Sequence, residues 1–133
     1  METFLFLSIT GGGGGIGRAV SQLFARAGAS VIVADIKETD AQGTVDTLEK
    51  TPLQHTSFEL DVTSSKQISQ FMEKVNQTYN RYPCIAVNCH GITRDDFILK
   101  MKEERFNEVI NVNLKVYIYI YIYIYIISLY FHF

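Results

Sequence analysis

Apolar runs alternate along this chain with stretches whose apolar residues return every third or fourth position. Phe4–Ile9, Ser30–Asp35 and Cys84–Asn88 are short, nearly continuous and bounded by turn residues, the pattern of strands buried in a sheet. The segment His55–Leu60 supplies a further strand between the second and the last of these. Between strands the spacing changes to that of helices. Ile16, Val20, Leu23, Phe24 and Ala27 predict one helix, and Ala41, Val45 and Leu48 predict a second over Thr39–Lys50, closed by Pro52. Ile68, Phe71, Met72 and Val75 predict a third, capped by Thr63 or Ser64. A fourth begins near Lys102 with Phe106, Val109, Ile110 and Leu114 facing inward. Alternation of this kind predicts a parallel sheet with right-handed crossovers and a ligand at the carboxyl ends of the strands.

The first strand runs into Thr10-Gly-Gly-Gly-Gly-Gly-Ile-Gly17, and the first helix follows at once. Glycines let the backbone turn tightly and approach a pyrophosphate, and the helix N-terminus offers free N–H groups and a positive dipole end. Gly11, Gly15 and Gly17 give the spacing G-x-x-x-G-x-G. No Lys-Ser or Lys-Thr pair follows, which argues against a nucleoside-triphosphate cradle. A flexible glycine linker is the alternative for five consecutive glycines, and the flanking strand and helix speak against it. Asp35 ends the second strand 18 residues beyond Gly17, about where a carboxylate accepts from the adenosine ribose hydroxyls. A carboxylate there favours NAD and repels the extra phosphate of NADP; the alternative role is a cap on the next helix. Asp61 and Asn88 also fall at strand ends.

Length and charge narrow the picture. At 133 residues the chain holds one domain at most, and a net charge of -2 carries no electrostatic footprint for nucleic acid. Cys84 and Cys89 have neither metal-ligand nor redox-motif spacing and suggest a reducing compartment. Residues 1–9 lack the basic start of a signal peptide and the arginines of a transit peptide.

Thr10-Gly11-x-x-x-Gly15-Ile16-Gly17, Asp61-Val62, Asn88-x-x-Gly91 and Asn111-Val-Asn113-Leu resemble, in order and spacing, the short-chain dehydrogenase/reductase family. Asn88-Cys-His-Gly-Ile-Thr-Arg-Asp-Asp-Phe-Ile-Leu-Lys-Met101 is similar to its 3-oxoacyl-[acyl-carrier-protein] reductase branch, and the acidic Asp35 to the type 8 17β-hydroxysteroid dehydrogenases within it. The resemblance implies the first half of a doubly wound, Rossmann-like α/β fold with strand order 3-2-1-4. It implies that Thr10, Gly11, Gly15, Ile16 and Gly17 line a pyrophosphate and that Asp35 holds the adenosine ribose of NAD rather than NADP. By the same resemblance Asp61 and Val62 meet the adenine, Asn88 and Gly91 border the nicotinamide ribose, and Asn113 helps hold a water of the proton relay. The implied chemistry interconverts 3-oxoacyl and 3-hydroxyacyl thioesters, or oxidises a 17β-hydroxysteroid. The implied setting is a homo- or hetero-tetramer of the mitochondrial matrix, with the cytoplasm as the alternative. Two positions depart from the family: His90 stands where a methyl usually packs beside the cofactor, and Gly14 where a serine is frequent.

The resemblance covers residues 4–115, and residues 116–133 form a Tyr-Ile repeat without a formal charge. Tyr and Ile codons can be read from a TATATA tract, and Lys115-Val116 can be read as an exon end running into an unspliced intron. The expected division is therefore a dinucleotide-binding part over 1–115 and a low-complexity tail over 116–133. The tail has three readings: continuation of the fourth helix to about residue 127, an aggregating β segment, or a membrane helix at the lower limit of length. Regularly spaced phenols argue against the last. The family's serine and Tyr-x-x-x-Lys pair lie past the resembling segment, and its interface helices are cut, so these 133 residues are expected to lack turnover. A non-catalytic dinucleotide-binding module and a tail-anchored membrane protein are the rival classes.

Overall fold

The computed structural model describes residues 5–50 and 54–119. The chain divides into two compact units, Met1–His90 and Gly91–Phe133.

The first unit alternates strand and helix: β1 Phe6–Thr10, α1 Gly15–Arg26, β2 Ser30–Asp35, α2 Glu38–Val45, β3 Thr56–Glu59, α3 Ser65–Tyr79 and β4 Ile85–Asn88. The strands form one sheet in the order β3-β2-β1-β4, as the sequence predicts, and every pairing is parallel. The register sets Leu7 beside Val31, Ile9 beside Val33 and Thr10 beside Asn88, so the carboxyl ends of β1, β2 and β4 finish together. Side chains alternate across a strand. On one face Ile9, Val31 and Val33 pack with Ala25 of α1 and with Ala41 and Leu48 from α2 and the turn after it. On the other, Phe58 meets Phe71 of α3 edge-on at 5.4 Å, and Phe6 meets Tyr79 at 4.5 Å. Helices therefore cover both faces, and β1 and most of β2 are fully buried.

Three helices differ in detail from the sequence reading. The buried face of α1 is Gly17, Ser21 and Ala25, whereas Ile16 and Leu23 are 75% and 65% exposed and Ala27 is also exposed. Small residues four apart let the helix approach the sheet closely, and Val20 and Phe24 pack only from its flank. Helix α2 ends at Val45 rather than Lys50, with Asp46 as its C-cap. Leu48 still reaches the core from the following turn. Helix α3 is capped by Ser64, whose hydroxyl accepts from the Gln67 N–H, and it stops at Asn80 in a left-handed conformation.

Tyr79 ties the end of α3 to the sheet. Its hydroxyl lies 2.8 Å from Thr56 Oγ1 and donates to the Gln54 carbonyl at 3.2 Å. Burial pushes its phenol above the usual value of 10.0, with the Thr56 hydrogen bond acting against it. The unfolded chain therefore ionises first, so this contribution to stability is complete below about pH 10 and is lost as pH rises further. We expect the melting temperature to fall above about pH 10, and Tyr79→Phe to flatten that fall while costing about 1 kcal/mol at neutral pH. Thermal melts across the alkaline range check both.

In the second unit, α4 spans Glu103–Ile110 and passes into a π-helical turn over Asn111–Lys115. Helix resumes over residues 116–119. Phe106 and Leu114, expected to face inward, are 54% and 53% exposed. The wider π turn accounts for Leu114, because it rotates the residues beyond Ile110 out of the register that a continuous α-helix sets. The expected run of helix to residue 127, and the repeat itself, lie mostly outside the described residues. Arg94 pairs with Glu108 at 2.7 Å and Arg105 with Asp96 at 3.1 Å, fastening the segment before α4 to the helix. Among the described residues no helix is long and apolar enough to cross a membrane.

Candidate dinucleotide site

The parallel register brings the ends of β1, β2 and β4 beneath one glycine turn. Gly11 begins it at φ +67°, a conformation that a side chain disfavours. A Cβ at Gly11 would lie 2.6 Å from the His90 nitrogen and 2.7 Å from the Cys89 carbonyl carbon, so the end of β4 presses directly on the turn. A Cβ at Gly17 would collide with the Gly11 carbonyl oxygen and lie 2.7 Å from Gly12 Cα. The first turn of α1 thus folds against the loop that precedes it.

Hydrogen bonds fix the rest. Thr10 donates its hydroxyl to Asn88 Oδ1 at 3.0 Å and lies 2.7 Å from His90 Nδ1, and Cys89 N–H donates to the Thr10 carbonyl. Burial pushes the Cys89 thiol up, which keeps it protonated at neutral pH. Gly12 N–H donates to the Ala34 carbonyl at 3.1 Å, and Gly13 N–H donates to Asp35 Oδ2 at 3.0 Å. Asp35 Oδ1 accepts from Lys37 N–H at 3.2 Å. The carboxylate expected to recognise a ribose therefore sits against the glycine turn.

The entrance to α1 suits an anion. No side chain caps this helix and its first turn contains no acidic residue. Gly14 N–H turns back to Gly11 O, and the first intrahelical bond is Arg18 N–H to Gly14 O. The amides of Gly15, Ile16 and Gly17 are thus the donors that a helix start leaves open. Open space surrounds Gly15, where a Cβ would meet nothing within 4 Å. Amide donors, a bare glycine surface and a carboxylate at the end of β2 fit a dinucleotide.

The remaining expected residues are placed as follows. Asp61 Oδ1 accepts from the Thr63 N–H and hydroxyl at 2.9 and 2.7 Å, and Val62 is buried. Ile16 stands exposed at the helix start. Gly91 and Asn113 belong to the second unit and lie together there. The Asn113 amide accepts from Ile92 N–H at 2.9 Å and donates to Ile92 O at 2.8 Å, and a Cβ on Gly91 would sit 3.5 Å from its oxygen. Asn113 thus grips the main chain on both sides of Ile92, through that residue's N–H and its carbonyl. Among the described residues no group of three or more His, Cys, Asp or Glu could hold a metal ion.

Four participants escaped the sequence reading: Gly12, Gly13, Arg18 and Thr44. The spacing rule used Gly11, Gly15 and Gly17 and left Gly12 and Gly13 as filler. Thr44 carried a signal, being a hydroxyl among the apolar positions of α2.

A family model for short chain dehydrogenases matches residues 6–123. The chain belongs to the short-chain dehydrogenase family. It is 45% identical over 105 residues to the 3-oxoacyl-[acyl-carrier-protein] reductase FabG of Thermotoga maritima, covering 79% of this chain and 42% of that protein. It is 40% identical over 112 residues to the (3R)-3-hydroxyacyl-CoA dehydrogenase of Homo sapiens, covering 79% of this chain and 43% of that one. The chain therefore spans less than half the length of these relatives. A short chain dehydrogenase of Bacillus anthracis superposes with a TM-score of 0.87 at 22% identity, over 94% of this chain and 50% of that structure, which shows the shared fold. The short-chain dehydrogenase family binds NAD(P) and acts on small molecules.

Proposed function

We propose that this chain binds NAD at the β1–α1 glycine turn, and that it serves an oxidoreductase interconverting 3-oxoacyl and 3-hydroxyacyl thioesters. The observation that carries this reading is the Asp35 carboxylate, held 3.0 Å from the Gly13 amide at the edge of the turn. An ionised carboxylate has about four lone-pair positions. Two accept from Gly13 and Lys37, which leaves one on each oxygen for the two ribose hydroxyls. Gly15, Ile16 and Gly17 offer amides to the pyrophosphate, and Asp61 with Val62 borders the adenine. Asn88, steadied by Thr10, borders the second ribose; for Gly91 a place at that ribose and for Asn113 one in the proton relay rest on the sequence resemblance. Bound NAD supplies the hydride donor or acceptor. The names of the two relatives support the thioester substrate; 17β-hydroxysteroid oxidation, implied by the sequence resemblance, is the second substrate class.

A non-catalytic dinucleotide-binding module is the competing reading, because the glycine turn and Asp35 would serve cofactor binding alone equally well. For the repeat after Lys115 the reading is an intronic origin. Transcripts that join codon 115 to a downstream exon and omit the repeat support that origin, and transcripts that carry the repeat as ordinary spliced coding sequence contradict it.

Cofactor selectivity tests the binding reading. A 2′-phosphate would bring negative charge against Asp35, at about 1–3 kcal/mol in a partly buried site. Fluorescence titration is expected to show NADH binding about ten- to a hundredfold more tightly than NADPH. Asp35→Ala should narrow the gap. Equal affinities, or tighter NADPH binding, remove Asp35 from the site.

A further inference from the structure

We infer that Thr44 is a positioning residue for the dinucleotide, acting on the glycine turn through the peptide between Gly12 and Gly13; this rests on the NAD-binding reading above. Thr44 lies on α2 and is completely buried. Its hydroxyl donates to the Gly12 carbonyl at 2.8 Å and accepts from Arg18 Nε at 3.2 Å. The Gly12 carbonyl and the Gly13 N–H belong to one peptide plane. One edge of that plane is held by Thr44 and the other by Asp35, whose Oδ2 accepts from Gly13 at 3.0 Å.

A peptide between two glycines has little steric resistance to rotating, because no Cβ restrains either flanking residue. The plane is therefore fixed by its two hydrogen bonds. Gly12 N–H adds a third tie, to the Ala34 carbonyl at the end of β2. The middle of the turn is thus oriented by the β2–α2 unit, while its ends belong to β1 and α1. Arg18 closes the arrangement from α1 by donating to the same hydroxyl, which leaves the Thr44 proton to point at Gly12. Without the Thr44 hydroxyl the carbonyl edge is free and the plane can rotate. Gly13 then turns its N–H away from Asp35, and the carboxylate loses the contact that aims it at the ribose. Thr44 touches no cofactor atom in this account and acts entirely through the turn.

Thr44→Val keeps the volume and removes the donor, while Thr44→Ser keeps the donor. With the full chain, we expect Thr44→Val to raise the NADH dissociation constant about tenfold, the equilibrium equivalent of one lost hydrogen bond, and to narrow the NADH-over-NADPH preference. Thr44→Ser should stay within about twofold of the unaltered chain on both measures. A role in stability alone would lower the melting temperature of Thr44→Val and leave the selectivity ratio unchanged. Amide exchange at Gly13 without cofactor gives an independent reading and should quicken in Thr44→Val only. If Thr44→Val does not fold, Arg18→Met tests the same tie from its exposed end, with a smaller loss of affinity in the same direction. Unchanged affinity, selectivity and Gly13 exchange in the folded variants overturn the inference. If the unaltered chain binds neither cofactor, the NAD reading itself fails, a result distinct from a bound cofactor indifferent to Thr44.

Discussion

Gly17→Ala is expected to abolish measurable NADH binding and to destabilise the first unit by about 3 kcal/mol, the upper part of the range for overpacking. The new methyl would run into the Gly11 carbonyl and approach Gly12 Cα at 2.7 Å and Gly11 carbonyl carbon at 2.9 Å. All three atoms are backbone of the turn, so no side chain can swing aside. Relief requires moving α1 from the sheet or opening the turn, and either displaces the amides expected to face the pyrophosphate. Gly15→Ala is the control. Its Cβ meets nothing within 4 Å, so the fold should melt as before. Binding should nevertheless weaken, because the methyl stands on the surface that the pyrophosphate is expected to approach. Thermal melts paired with NADH titration separate the two variants: Gly17→Ala loses stability and binding, Gly15→Ala loses binding alone.

The polypeptide of these 133 residues should show no turnover with an acetoacetyl thioester and NADH, even where it binds the cofactor. Hydride transfer to a carbonyl needs an acid matched to the developing oxyanion, and such an acid contributes about a hundred- to ten-thousandfold in rate. Tyr79 is unsuited to that task. Burial pushes Tyr79 upward, away from the lowered value a catalytic phenol requires, and its hydroxyl is engaged by Thr56 and Gln54. No Lys or Arg follows Lys115 to assist the tyrosines of the repeat. A coupled assay of NADH oxidation checks this. Steady turnover that disappears in Asn113→Ala would reveal an acid among these residues and make the relay assignment the correct one for this chain.

The sheet and its turn were legible because they rest on short-range rules. Apolar β1 and β2 are buried whichever face is considered, and the glycine run between a strand and a helix has few other uses. That Asp35 ends β2 was legible from the strand pattern. Its bond to Gly13 was not, since that depends on how far the turn folds over β2. The error at α1 came from treating hydrophobicity as the sign of burial. The inward face of that helix is chosen for small size, so Gly17, Ser21 and Ala25 face the sheet while Leu23 stays in solvent. Thr44 was hidden for a related reason, because a buried hydroxyl is explained by its partner and Gly12 is distant in sequence. The π turn at Asn111–Lys115 breaks the regular period on which the Leu114 assignment depended.

A titration of the nitrogen-15-labelled chain with NADH, followed by amide NMR, reads NAD binding at the glycine turn residue by residue. Saturable shifts are expected to concentrate at Gly13, Gly15, Ile16, Gly17 and Asp35, with the same amides responding weakly to NADPH. Saturable binding that leaves those amides unmoved, or shifts confined to other residues, would contradict binding at the turn.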